Sequence, residues 1–310
     1  MPIRLAIHAG PHKTGSTSIQ AALDASRDLL ASHGVLYPQS LPAARWPAQH
    51  ADAWLLLRDR RRKREFHAWL AGCHDQARQR NCETVLLSSE NFHVEATRPE
   101  LASALRHWQR TTGGDTRLIY VQRDPVSHAC SRAISHLSGE TGFFFRQRYD
   151  LRRWAQSFTL LQEANQRACA RLGAHFLPLD GAPSEALAAR VVELASGKQV
   201  PGLASGFGNV TSEKLADPDR MLSYGLRVMH SIVHDTPVTD ATAFLAARGI
   251  AHPQLVDPAA FGRLVADFQS AVRQQVEAGV ADALRLGPWA RRIGSWRARR
   301  EERLQARIWE

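Results

Sequence analysis

The sequence predicts an α/β protein built around a parallel sheet, on three observations. Short apolar runs at 3–9, 84–88 and 117–122 are rich in β-branched and aromatic residues, as buried strands are. Between them lie longer segments whose apolar residues recur at helical spacing. Each run ends in a polar or glycine-bearing turn, and ligands of such sheets gather at the carboxyl ends of strands.

Taken in order, 3–9 is the first strand, and Ile19, Ala22, Leu23, Leu29 and Leu30 mark one helix over 17–32 that closes at His33-Gly34. Val35-Leu36-Tyr37 is a short extended piece stopped by Pro38, followed by a surface loop to Pro47. Helices are expected over 48–59 and 65–80, joined by the solvated basic run 60–64. The strand 84–88, a helix over 101–110 and the strand 117–122 follow, Gly113-Gly114 breaking the helix. Pro125 opens another helix, 138–150 has no clear period and suits an acceptor loop, 151–172 is helical, and 175–177 completes the sheet. A helix starts at Ser184 and ends near Gly197; helical patterns dominate from Pro218 on. One domain is expected over 1–285, with a basic helical tail over 286–310.

With 310 residues and 44% apolar content, the chain has ample material for a core. Its formal charge of +10 favours acidic partners: a charged nucleotide, a sulfated or uronic glycan, a membrane surface or nucleic acid. Cys73, Cys82, Cys130 and Cys169 lack the paired spacing of a metal knuckle or a disulfide framework, so a reducing compartment is the easier fit. No apolar run reaches the length of a membrane span and no leader pattern precedes Ile3, so a cytoplasmic protein is expected. The tail from Trp289 carries seven arginines and three tryptophans, which suits a packed surface helix or contact with the inner, anionic face of a membrane.

Directly after the first strand comes Gly10-Pro11-His12-Lys13-Thr14-Gly15-Ser16-Thr17, and directly after that a helix. Glycines allow close backbone approach, the helix start offers N–H groups and a positive end, and Lys13 adds a charge. Ser16 and Thr17 are candidate helix caps. The nucleotide triphosphatase loop places its lysine after the second glycine; here Lys13 precedes Gly15. A second anion site is expected at Arg123, at the end of the strand 117–122, with Ser131 eight residues later on the helix opened by Pro125.

The order of this loop, Val35-Leu36-Tyr37-Pro38, Ser88-Ser89-Glu90, and Arg123 with Ser131 resembles the bacterial carbohydrate sulfotransferases that use 3′-phosphoadenosine 5′-phosphosulfate (PAPS). The resemblance covers about the first 180 residues; Asn209 to Ser212 also resembles a short family segment. It implies a three-layer α/β/α fold like that of P-loop NTPases, with a helical C-terminal region. It further implies a donor held by Gly10, His12, Lys13, Thr14, Gly15, Ser16 and Thr17 at the 5′ end and by Arg123 and Ser131 at the 3′ phosphate. Adenosine 3′,5′-bisphosphate (PAP) would be the product, no metal would be required, and the acceptor would be a carbohydrate or glycoconjugate. The Arg-Lys-Gly segment of the phenol and steroid branch is absent, and no tryptophan near the first loop offers itself to adenine.

Sulfuryl transfer asks for placement and for charge stabilisation on the departing phosphate, which Lys13 would supply. The base is expected at Glu90, with His50 and His93 as alternatives, since Glu90 follows a strand end facing the crevice. Two other classes fit less of the sequence. A kinase or NTPase would want the displaced glycine restored and an acidic magnesium ligand where Ser88-Ser89 stands. A nucleic-acid binder would explain the charge but leave the two anion sites without a purpose.

Overall fold

The computed structural model describes residues 2–11, 14–41, 48–59, 61–90, 92, 99–137, 151–179, 184–203 and 258–306. They form two compact units, one of 1–123 with 163–209 and the other of 124–162 with 210–310.

The first unit is an α/β unit around a five-stranded, wholly parallel sheet in the order β2-β3-β1-β4-β5. Its strands are β1 (Arg4–Ala9), β2 (Val35–Leu36), β3 (Thr84–Ser88), β4 (Thr116–Gln122) and β5 (His175–Pro178). Because β1 is central, both its faces are covered, and alternate residues serve different cores. Leu5, Ile7 and Ala9 pack with Val85, Leu87, Leu118 and Tyr120. That core is roofed by α3 (Ala51–Arg58), α4 (Lys63–Gln79) and α5 (Pro99–Thr112), through Leu57, Phe66, Leu70, Leu105 and Trp108. On the other face Ala6, Leu86, Ile119 and Val121 meet α1 (Ser16–Ala25), α2 (Arg27–Ser32) and a later helix over Ser184–Ser196. Helix, sheet and helix thus form three layers.

The helix expected over 17–32 is two helices. Ser26, at φ −112° and ψ 20°, ends α1 and starts α2, its N–H donating to Leu23 O and its carbonyl accepting from Leu30 N–H. Arg27 then donates to Asp24 Oδ1 at 2.7 Å and to Tyr37 O at 2.6 Å, tying the corner to the chain leaving β2. The helix expected from 48 begins at Ala51, because His50 stands as its N-cap with its N–H donating to Ser88 O. At the opposite end of the sheet, Trp108 Nε1 donates to Ile3 O at 2.9 Å, and a side chain on Gly114 would collide with that carbonyl. The expected break at Gly113-Gly114 is therefore also a packing requirement.

The second unit contains α6 (Pro125–Leu137), the first part of α7 (Leu151–Arg171), and two further helices. With Ser184–Ser196 taken as α8, these are α9 (Pro258–Arg285) and α10 (Pro288–Ala306). Gly279 of α9 lies so close to α7 that a Cβ would collide with the Arg152 carbonyl, and the Arg152 guanidinium pairs with Asp282 at 2.6 Å. The expected loop over 138–150 and the helical patterns between Pro218 and 257 lie outside the described residues. No helix among the described residues is long and apolar enough to cross a membrane.

Candidate functional site

The chain leaving β1 turns at Gly10, which is buried against the end of β4. A Cβ there would lie 3.4 Å from Val121 Cβ and 3.0 Å from Thr14 Oγ1, so a side chain would press the loop off the neighbouring strand. The Thr14 hydroxyl is spent within the loop, donating to Pro11 O at 2.6 Å. Thr14 can therefore give a ligand its backbone N–H but not that proton.

Gly15 follows with φ 77° and ψ 8°, a left-handed conformation that suits glycine, and it is the N-cap of α1. The cap expected from Ser16 or Thr17 is not formed: both belong to the first turn of α1, and its N-cap, Gly15, makes no side-chain cap bond. Ser16 is buried with Oγ 3.4 Å from Thr14 Oγ1, whereas Thr17 is exposed. The first amides of an α-helix have no intrahelical acceptor and can donate to an anion. His12 and Lys13 lie outside the described residues.

Arg123 follows β4 immediately and is half-buried, two residues beyond the Val121 against which Gly10 rests. β4 and β1 are neighbours, paired Ile7 with Leu118 and Ala9 with Tyr120. Next in the chain, Asp124 acts as a helix cap, its Oδ1 accepting from Ser127 N–H at 2.8 Å and its carbonyl from His128 N–H. Ser131 is buried on α6, in the second unit.

At the carboxyl end of β3 the structure assembles a group that the sequence reading only half saw. His50 is wholly engaged: its Nδ1 accepts the Ser88 backbone N–H at 2.9 Å, and its Nε2 lies 3.0 Å from Pro38 O, to which it donates. The ring stands edge-on to Tyr37, centroids 4.9 Å apart. Burial holds its pKa down to about 4, against the opposing pull of the Pro38 carbonyl. With the lone pair given to Ser88 N–H, His50 has none for an acceptor proton. Its geometry is that of a pin joining the ends of β2 and β3, and this corrects the expectation of a base there.

His8, which sequence reasoning did not single out, is a second buried imidazole of this group. It stands in β1 in register with Ser88, fully buried, with Nδ1 2.8 Å from Ser88 Oγ. Its Nε2 is buried without a hydrogen-bond partner. Tyr37 donates its phenol proton to Ala48 O at 2.7 Å. Burial lowers the His8 pKa to about 4, while the Glu90 carboxylate pulls it upward. Glu90, half-buried just past β3, is thus within electrostatic reach of His8. The signal in the sequence was a polar residue inside an otherwise apolar central strand. His93 lies outside the described residues.

A cleft of about 690 Å³ opens along the β2 edge, walled by Asp24, Arg27, Tyr37, Gln39, Gln76 and Arg80. Arg27 forms one wall with its guanidinium 4.9 Å from the Tyr37 ring centre. Charged and amide side chains that can both donate and accept make this a surface suited to polyhydroxy compounds. The surface loop expected after Tyr37 leaves from its rim at Pro38 and Gln39; residues 42–47 are outside the described ones.

No family model, no curated protein and no solved structure matches this chain.

Proposed function

We propose that this chain is a PAPS-dependent sulfotransferase acting on a hydroxyl or amine of a carbohydrate or glycoconjugate. One observation carries the reading: the glycine-capped start of α1 and residue Arg123 stand at the same end of adjacent strands, β1 and β4. A nucleotide with phosphates at both ends of its ribose needs two such anion sites.

The residues present fit that donor. Backbone N–H groups of 14–17 and the Ser16 hydroxyl offer neutral donors, Arg123 a forked cation, and Lys13 by sequence a second cation. PAPS would supply a sulfuryl group on a good leaving phosphate. The first turn of α1 would hold the charge growing on that phosphate, and Lys13 would add to it. Glu90 would take the acceptor proton, with the buried, neutral His8 within its electrostatic reach. His50 would keep Ser88 and Pro38 in place, holding the end of β3 and the rim of the β2 cleft together. That cleft would seat the neighbouring sugar.

The test is binding before turnover. PAP should raise the melting temperature without magnesium, by more than ATP with magnesium does. Labelled PAPS should then transfer sulfate to a glycan from the source extract. Equal or greater protection by ATP would point to phosphoryl transfer instead, and no protection by either would end the proposal.

A further inference from the structure

The cleft along the β2 edge is balanced in charge, although the chain as a whole is strongly basic. Its walls lie within the first unit and carry two carboxylates, Asp24 and Asp28, and two guanidiniums, Arg27 and Arg80. These stand as two pairs. Arg27 meets Asp24 Oδ1 with Nε and Nη2, each at 2.7 Å, and its Nη1 donates to Tyr37 O at 2.6 Å. Arg80, the C-cap of α4, reaches Asp28 in the first turn of α2 at 3.5 Å. Between the pairs the lining adds uncharged amides, the exposed Gln39, Gln76 and Gln79, and an apolar stretch at Leu29 and Pro38.

We propose that this cleft takes an uncharged pyranose residue of the acceptor and discriminates against uronates and sulfated sugars. This names the acceptor class of the proposed transfer and rests on that reading. The formal charge of +10 favours an acidic glycan; the pairing inside the cleft argues the opposite. An anionic sugar reaching Arg27 would have to displace Asp24, and one reaching Arg80 would lie beside Asp28. Either way a protein carboxylate is left facing a like charge. A sugar hydroxyl breaks neither pair, because it donates to a carboxylate oxygen and accepts from a guanidinium or amide N–H. Each ion pair and each amide sets a donor beside an acceptor, the pattern that neighbouring ring hydroxyls complement. Leu29 and Pro38 offer the C–H face of the ring an apolar surface. The volume of about 690 Å³ also lies within the roughly 300–1,000 Å³ common to small-molecule sites.

The experiment is calorimetric titration of the full chain, with and without PAP, against cellotetraose, mannotetraose, galactotetraose and chitotetraose, and against tetragalacturonate and tetramannuronate. At least one neutral tetrasaccharide should bind, and the uronates should bind at least about tenfold more weakly than it does. Gln76→Ala with Gln79→Ala should weaken the neutral ligand by about tenfold, the share of two neutral hydrogen bonds. Both side chains are exposed on α4, so the melting temperature should not change. Asp28→Asn removes the negative neighbour of Arg80 and should raise uronate binding by about two- to fivefold. Uronates bound as tightly as the neutral sugars, no neutral member bound, or full neutral binding by the glutamine double variant would overturn the proposal. The two readings fail separately. Neutral-sugar binding that the double variant weakens, in a chain that PAP does not protect, would uphold the cleft and remove the donor; PAP protection with a preference for uronates would do the reverse.

Discussion

Acidification from pH 7 to pH 5 should cost the first unit about 3 to 4 kcal/mol through His8 and His50. Both are buried and neutral, with folded pKa values near 4 against an ordinary 6.5. The depressed value sets the sign: the unfolded chain takes up these protons first, so stability is full above pH 6.5 and is lost as pH falls toward 4. At pH 5 the unfolded imidazole is almost wholly protonated and the folded one is mostly not, which costs roughly 2 kcal/mol per histidine. Urea unfolding at the two pH values measures it. With a slope of about 3 kcal/mol per molar, the midpoint should fall by roughly 1 M. His50→Gln should lose stability at pH 7 yet show about half the pH dependence. Proton NMR of the unmodified chain gives an independent reading, since two imidazoles should show no titration between pH 8 and 5. A midpoint that hardly moves, or titration of all fourteen histidines near 6.5, would refute the buried neutral pair.

The remaining predictions separate chemistry from scaffolding. Glu90→Gln should lower kcat by about 100-fold or more while leaving PAP affinity intact, measured by turnover and calorimetry, whereas His50→Gln should lower stability far more than the kcat of the folded fraction. Arg123→Ala should weaken PAP binding by about 10- to 100-fold, and Lys13→Ala should lower kcat by at least about 100-fold. Gly114→Ala should destabilise by about 3 kcal/mol or more, because the methyl group would meet the Ile3 carbonyl rather than a yielding side chain; thermal unfolding checks it.

Much of the sheet was legible because burial on both faces leaves a continuous apolar signature. The strand expected over 84–88 is β3 itself, and that over 117–122 differs by one residue from Thr116–Gln122. What the sequence concealed lies where one side chain redirects the backbone. Nothing in the helical spacing of 17–32 announces the break at Ser26, since it depends on Arg27 reaching Tyr37 O, ten residues on. The start of α3 was misread because His50 bonds Ser88, which lies 38 residues away. Turn chemistry misled at the loop as well. Serine and threonine are good caps, but Thr14 turns back to Pro11, and glycine at position 15 takes the cap position through its left-handed backbone.

The two histidines show why residue type and location together still underdetermine a role. His8 and His50 share nearly complete burial, a pKa near 4 and contact with Ser88. They differ in which part of Ser88 they meet. The backbone N–H of Ser88 can only donate, so it consumes the Nδ1 lone pair of His50; the Ser88 hydroxyl meets Nδ1 of His8 at 2.8 Å, and Nε2 of that ring is buried without a hydrogen-bond partner. Ser88→Ala would remove the hydroxyl partner of His8 while keeping the backbone donor of His50. It should therefore shift the imidazole nitrogen resonances of His8 and leave the His50 resonances where they were. Equal displacement of both rings would show that Ser88 does not discriminate between them.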